Sequence, residues 1–418
     1  MSRTNLQTLF QTSLESHTEL PEALGTYESM ESDLIDILAS FEEAEEHSDA
    51  VDELEDIEDA LEAIALDLEE SMENGGIDAQ AAKMLHHAVG AHLNRLGLEE
   101  TGVPSVESFG GDSGQLSSTQ ISMESIAENL KKIWAAIRAA IEKAIKAVTD
   151  FFAKVFGGAD KVIARIKAAK TKVKDIKGTP PAKFKVPSPN SLQLNGKVDV
   201  ASIKTGLKNF ENALSTYETI LKEADNYYSV VSSGITKIRD KDEESAAEER
   251  LAEAKKSEER IFSVTMKSRG HKVSGDKALV TSSAVDSLEK PTAKIVFTRP
   301  ADAKNVQNAE IPGPSALDLL EILSFSETLI QKVKGSKNVL ETVKKSRQDA
   351  IKAGDEVIKA SDRGRVGKVW TKGKSRVLLR RAQADYVRPY TQMVSHAFSV
   401  ARSAVAMAES ASSKFKES

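Results

Sequence analysis

The sequence predicts a mainly α-helical protein, an elongated arrangement of multi-helix bundles with a small β-prone insertion near residues 261–298. Three observations carry this expectation. Apolar residues recur at intervals of three and four along most of the chain, the period of one helix face. Aromatic residues make up 5% of the 418 positions and charged residues 29%, which suits thinly packed helices better than thick β cores. Cysteine is absent, which removes disulfides, Cys-ligated zinc, iron–sulfur clusters and thiol nucleophiles.

Residues 1–25 are polar and expected to be poorly ordered. From Tyr27 the pattern turns helical. Leu34, Ile35, Ile37, Leu38 and Phe41 form one stripe; Val51, Leu54, Ile57, Leu61, Ile64, Ala65 and Leu68 form a second, with Ser48 as an expected N-cap and Asn74-Gly75-Gly76 as the stop. A third helix follows over 78–96, with Ala82, Leu85, Val89 and Leu93 on one face. Residues 1–98 thus read as an acidic helical hairpin or three-helix unit. Residues 99–124 read as a Gly/Ser linker, helix resuming at Met123.

The next helix, 123–156, carries Ile126, Leu130, Ile133, Ile137, Ile141, Ile145, Val148, Phe152 and Val155 at steps of three and four. Gly157-Gly158 is expected to interrupt it before a second basic helix, so that 125–177 forms a pair of basic amphipathic helices. Residues 178–197, with Pro180, Pro181, Pro187 and Pro189, read as a stiff basic linker. The body, 198–418, begins with a helix over 198–239, and a mixed-charge stretch runs to Arg260. Phe262–Met266, Ala278–Thr281 and Ile295–Thr298 are short and β-prone, predicting two or three strands. Pro312-Gly313-Pro314 marks a turn, and helices are expected over 315–334, 336–360 and 376–414.

Charge divides the chain in two. Its 57 Lys/Arg and 64 Asp/Glu give a net −7. Residues 1–124 hold 29 acids and three bases, net −26, which leaves 54 bases and 35 acids, net +19, for residues 125–418. Such asymmetry points to a polyanion- or membrane-binding part joined to an acidic tail or propeptide. The changeover falls at Ser122-Met123-Glu124-Ser125. Small-x-Glu tripeptides recur by composition in a chain so rich in Ser and Glu, as at Ser29-Met30-Glu31 and Ser71-Met72-Glu73. At Glu124, however, linker, charge reversal and helix start coincide, so the peptide bond after Glu124 is the expected processing site. An extended, accessible linker is what a protease needs.

Val103-Pro-Ser-Val-Glu-Ser-Phe-Gly-Gly111, Ile121-Ser-Met-Glu-Ser-Ile126 and the Ile/Lys/Trp helix ending Phe151-Phe152-Ala-Lys-Val-Phe-Gly-Gly158 together resemble the internal head (virion structural) proteins of giant phiKZ-like tailed phages. Gly75-Gly76-Ile77-Asp78…Leu85-His86-His87 resembles the same family. The resemblance covers roughly residues 50–175. It implies an acidic propeptide removed by the capsid-maturation protease after a small-x-Glu motif. The mature part would stay inside the head with packaged double-stranded DNA and other head proteins, after synthesis in the host cytoplasm. Residues 1–10 lack the charged and apolar regions of a secretory signal, in keeping with that expectation.

Two basic stretches are candidates for phosphate contact. Arg363, Arg365, Lys368, Lys372, Lys374, Arg376, Arg380 and Arg381 form a run with no acid among them. Residues 131–185 hold 15 Lys/Arg against Glu142, Asp150, Asp160 and Asp175. With no helix-turn-helix, zinc finger or RNP-like motif, binding is expected to be independent of sequence; the alternative for either stretch is a solvated helix face. Helix 126–156, with Trp134 and lysines beside its stripe, reads first as an amphipathic helix buried against a neighbour. Its second reading is an interfacial membrane helix, which would make the protein membrane-active or ejected. A third reading is a scaffold-like assembly protein that keeps its acidic part.

Enzyme chemistry finds little support. Gly373-Lys374-Ser375 resembles a P-loop ending, but Lys368 stands where the first glycine belongs. His86, His87 and His92 are spaced for no shared metal face, and no Gly-x-Ser-x-Gly elbow occurs. No enzyme activity, cofactor or metal is expected.

Overall fold

A computed structural model describes residues 27–96, 114–241, 244–268, 271–281, 295–300, 303–306, 309–361, 378–379 and 381–415. The expected polar start at 1–25, most of the 99–124 linker and most of the 363–381 run lie outside them. The architecture is mainly helical, with two small two-stranded antiparallel sheets among the described residues. It divides into two compact units, one comprising Glu42–Ala147 with Met1–Leu24, the other Gly25–Phe41 with Val148–Ser418.

The first unit draws on three helices: α1 (Tyr27–Glu73), α2 (Ala79–Arg95) and α3 (Gly114–Lys174). Helix α1 is continuous, so the two stripes belong to one helix. Ser48 lies buried inside it rather than capping a second one. Asn74-Gly75-Gly76 does end it, the glycines taking φ 99° and 92°, a left-handed region that costs a residue without Cβ little. Asp78 caps α2 by accepting from the Ala81 amide at 2.7 Å. Val51, Leu54, Ile57, Leu61, Val89 and Leu93 are each at most 3% exposed. Arg95 pairs with Glu53 at 3.0 Å, and the Ile77 amide donates to Thr119 Oγ1 at 2.8 Å.

Helix α3 departs from expectation at two places. It begins at Gly114, ahead of Met123, and it runs through Gly157-Gly158 without a break. Thr119, Ile126, Ile133, Ala140 and Ala147 recur every seven residues, each at most 7% exposed; that buried seam reaches upstream into the supposed linker and carries the helix with it. Gly158 has a packing reason: a Cβ there would stand 3.1 Å from Ile37 Cδ1.

In the second unit, β1 (Phe184–Lys185) and the single turn α4 (Pro189–Leu192) precede α5 (Val200–Lys241) and α6 (Glu244–Ser268). Then come β2 (Ala278–Thr281), β3 (Ile295–Thr298), β4 (Glu310–Ile311), α7 (Ala316–Gly335), α8 (Lys337–Ser361) and α9 (Arg388–Ser412). Helix α5 is the hub, packed by α6, α7 and α8. Ile203, Leu207, Phe210, Leu214, Tyr217, Leu221, Ala224, Tyr228, Val231 and Ile235 alternate steps of four and three, none more than 1% exposed. That is a 3.5-residue period, the seam of helices packed side by side.

Strands β2 and β3 pair antiparallel from Ala278↔Thr298 to Thr281↔Ile295, as expected. Phe262–Met266 is not a strand. It belongs to α6, where Leu251, Ala254, Glu258, Ile261 and Thr265 are buried at alternating steps of three and four. The proline-rich stretch is no free linker either. β1 pairs with β4, the Gly313 amide donates to the Pro181 carbonyl at 3.0 Å, and Leu192, Gln193 and Leu194 are buried. Ser315 caps α7 in a reciprocal box with Asp318, a pairing that satisfies two otherwise orphaned amides. The last helix starts at Arg388 with Pro389 in its first turn, not at 376.

Candidate functional site

Ser122, Met123, Glu124 and Ser125 all lie within helix α3, with Ser122, Met123 and Ser125 half-buried and Glu124 exposed. The expectation of an extended segment therefore fails in the uncut chain, because α3 starts ten residues before Glu124 and is pinned there by Thr119. Past Glu124, Ile126 is 5% exposed and Ile133, Trp134, Ile137 and Ile141 at most 4%. The stripe is buried, as the first reading of this helix has it, and no described helix is long and apolar enough to cross a membrane. Asn129 is 1% exposed and its amide finds no partner; an unpaired buried amide costs about 1–3 kcal/mol. Burial lowers the His47 pKa, with Lys143 adding to the shift and Glu43 opposing it.

Of the basic run, Arg363, Arg365, Lys368, Lys372, Lys374, Arg376 and Arg380 lie outside the described residues. Arg381 is described, and it requires a correction. It is 4% exposed, its guanidinium paired with the 1% exposed carboxylate of Glu258, so it faces the interior and is not presented to a phosphate. The partner sits on α6, far away in sequence, and nothing local distinguishes this cation from its neighbours.

The segment after Arg381 is fastened by tyrosines of α5. Tyr227 donates to the Arg381 carbonyl at 3.0 Å, Tyr228 to that of Ala384, and Tyr217 to that of Tyr386 at 3.0 Å. Arg347 of α8 adds a bond to the Gln383 carbonyl at 2.9 Å and an ion pair to Asp385 at 3.1 Å. Burial raises the Glu258 pKa, with Arg381 opposing the rise. Burial also pushes Asp385 upward, but Arg347 and the Val387 and Arg388 amides outweigh it and hold the carboxyl below its usual value. Sequence reasoning missed this anchor. Its one visible sign was the tyrosine spacing at 217, 227 and 228 within a helix lined mostly by aliphatic residues.

The 131–185 stretch divides by exposure. Lys132 pairs with Glu128 at 3.4 Å, Arg165 with Glu409 at 3.0 Å, and Lys170 with Glu327 at 2.6 Å. Lys161, Lys172, Lys174, Lys177 and Lys185 are exposed. The cations best presented to solvent thus cluster from the end of α3 to β1.

Two polar clusters have the residue types of a catalytic site but are used for packing. Gln193 donates to Asp276 at 2.6 Å and to the Lys304 carbonyl at 2.9 Å, while the Asn195 and Gly196 amides also donate to Asp276. His396 Nε2 lies 2.7 Å from the Ser274 carbonyl, which fixes the proton on that nitrogen. The ring sits between Phe210 and Phe297, at 5.3 and 5.8 Å between centroids. Burial first, and Lys277 second, depress its pKa to about 3. The imidazole stays neutral and its donor is spent on a carbonyl, so it serves as a strut. Among the described residues no group of three His, Asp or Glu is placed to hold a metal ion. An open groove of about 560 Å³ is lined by Asn209, Asn212, Thr216, Thr219, Val264 and His271 among others and brings no acid–base pair together.

A family model described as phiKZ-like phage internal head proteins matches residues 29–410. No curated protein and no solved structure matches the chain.

Proposed function

The chain belongs to the phiKZ-like phage internal head proteins and so resides inside the virion head, and from that premise we propose how it works there. It is made with an acidic propeptide, and the capsid-maturation protease cuts after Glu124. The remaining chain stays with the packaged double-stranded DNA as a basic, sequence-independent partner. The carrying observation is the charge split, net −26 before the cut and net +19 after it. Attached, the acidic part screens the basic part by long-range attraction and deters early association with nucleic acid. Removal converts a net −7 chain into a net +19 chain, and affinity for DNA then comes from counterion release.

The N-terminal residue of the protein in mature particles tests the first step. Ser125, with no peptides from 1–124, is expected; abundant intact propeptide would overturn it. A Glu124→Gln chain should resist the protease, which is expected to read that carboxylate.

One observation favours a second reading, that of a scaffold-like assembly protein which keeps its acidic part. Glu124 lies within a continuous helix rather than a loop. The same N-terminal residue decides between the two.

A further inference from the structure

The described helices that share the first unit with α3 are α1, from Glu42, and α2. Both precede Glu124. In the second unit α1 again covers α3: Phe41 meets the Phe151 ring at 6.2 Å and Ile37 packs on Gly158. Within the first unit, the cover of the α3 apolar face from Ile126 to Ile145 is thus built from chain that lies before the cut. α1 carries 20 acidic residues and no Lys or Arg. Residues 125–156 carry six cations and three acids, so an acidic cover lies over a cationic helix with an Ile/Trp/Phe face.

We propose that cutting after Glu124 turns this cover into a dissociable one, and that the uncovered face of α3 binds an anionic lipid bilayer surface. The choice of occupant follows from charge and polarity together. A second copy of the mature chain, at net +19, offers apolar surface but repels. Duplex DNA offers charge but nothing to cover Ile133, Trp134, Ile137 and Ile141. An anionic bilayer offers both, and an amphipathic helix with Trp on one face and Lys beside it lies in such an interface without spanning it. The unpaired Asn129 amide weakens the hold of the existing cover. This inference rests on the processing reading for its timing alone.

The test uses the full chain with a site-specific protease sequence inserted between Gly110 and Gly111, ahead of α3. Trp370→Phe leaves Trp134 as the single reporter. The folded chain is cut, then mixed with vesicles of phosphatidylcholine alone or with phosphatidylglycerol. Expected is roughly tenfold or greater flotation of the cut chain with the anionic vesicles. The acidic fragment should stay behind, and brominated lipid should quench Trp134. Lys146→Gln, on the exposed side of α3, should reduce flotation without unfolding. Equal flotation of cut and uncut chains, or none from either, overturns the proposal. So does lipid-independent self-association of the cut chain, which would make a second copy the occupant. Because the cut is made in vitro, failure here is separate from failure of processing at Glu124, which particle N-termini report.

Discussion

The Glu258 carboxylate of α6 and the Arg381 guanidinium meet in the interior, at 1% and 4% side-chain exposure. They join the end of the basic run to the helical body. Two charges withdrawn from water depend on each other. Arg381→Met alone, or Glu258→Leu alone, should destabilise by about 3–5 kcal/mol, because each leaves an uncompensated buried charge. The double variant should recover most of that loss. Urea unfolding of the four chains in a double-mutant cycle measures it; additive losses would mean the pair is not coupled.

DNA binding should separate from that anchor. Neutralising Arg363, Arg365, Lys368 and Lys372 to Gln should lower affinity on any sequence. It should also reduce the magnitude of the salt slope by up to about four units, at roughly 0.9 per lost phosphate contact. Arg381→Met should leave the slope unchanged wherever the chain stays folded. Neutralising the exposed Lys172, Lys174 and Lys177 is the comparison. Titration of a chain lacking the acidic part, at 50 and 200 mM salt, reads both sets, and a slope unaffected by either would remove DNA as the counter-charge.

Acid should weaken the protein well above the carboxylate range. His396 is depressed to about 3 when folded, against the ordinary imidazole value of 6.5. Between these values the unfolded chain binds a proton that the folded chain refuses. The His396 contribution is therefore whole above pH 6.5 and falls by about 1.4 kcal/mol per unit as pH drops toward 3. Half-buried His47 and His92, also lowered, add to that slope. Asp385 is held low, so its contribution is present above the usual carboxylate range and is lost only at still lower pH. His396→Gln keeps a donor for the Ser274 carbonyl and should flatten the curve between pH 6.5 and 4. Parallel curves for the two chains would refute the assignment.

Two glycines should respond in opposite directions. A Cβ on Gly313 would stand 2.2 Å from the Pro181 carbonyl oxygen, so Gly313→Ala must break the clamp and should cost about 1–3 kcal/mol or more. A Cβ on Gly157 meets nothing within 4 Å in an exposed helix interior. Gly157→Ala should stabilise by roughly 0.5–1 kcal/mol. Thermal unfolding of the two variants checks both signs.

Helices were legible where one face is apolar throughout, as in α3 and α5, because a buried stripe imposes its period on the sequence. The stop at Gly75-Gly76 and the β2–β3 pair were legible too, from local chemistry. Phe262–Met266 misled because its β-branched content is a weak preference, overridden by the buried face that Ile261 and Thr265 continue from Leu251. Gly157-Gly158 misled because glycine inside a long packed helix costs little against the contacts on either side. Ser48 misled because a capping residue type also fits a buried helix position. The charge reversal at Glu124 was plain, but the helical turns ahead of it, from Gly114, were not, since Thr119 is held by the distant Ile77 amide. Arg381 was misread for the same kind of reason: Glu258 lies too far along the chain for any local pattern to reveal it.

Three tyrosine hydroxyls and one buried ion pair have a mechanical consequence. Sixteen residues, 362–377, separate the end of α8 from Leu378, which is fully buried. The described chain on either side of them is held: α8 packs on α5, and residues 381–386 are fastened by the Tyr217, Tyr227 and Tyr228 hydroxyls. A pull on the chain at Arg381 is therefore resisted by those three bonds and the Glu258 pair, all made by buried side chains, rather than by an exposed helix end.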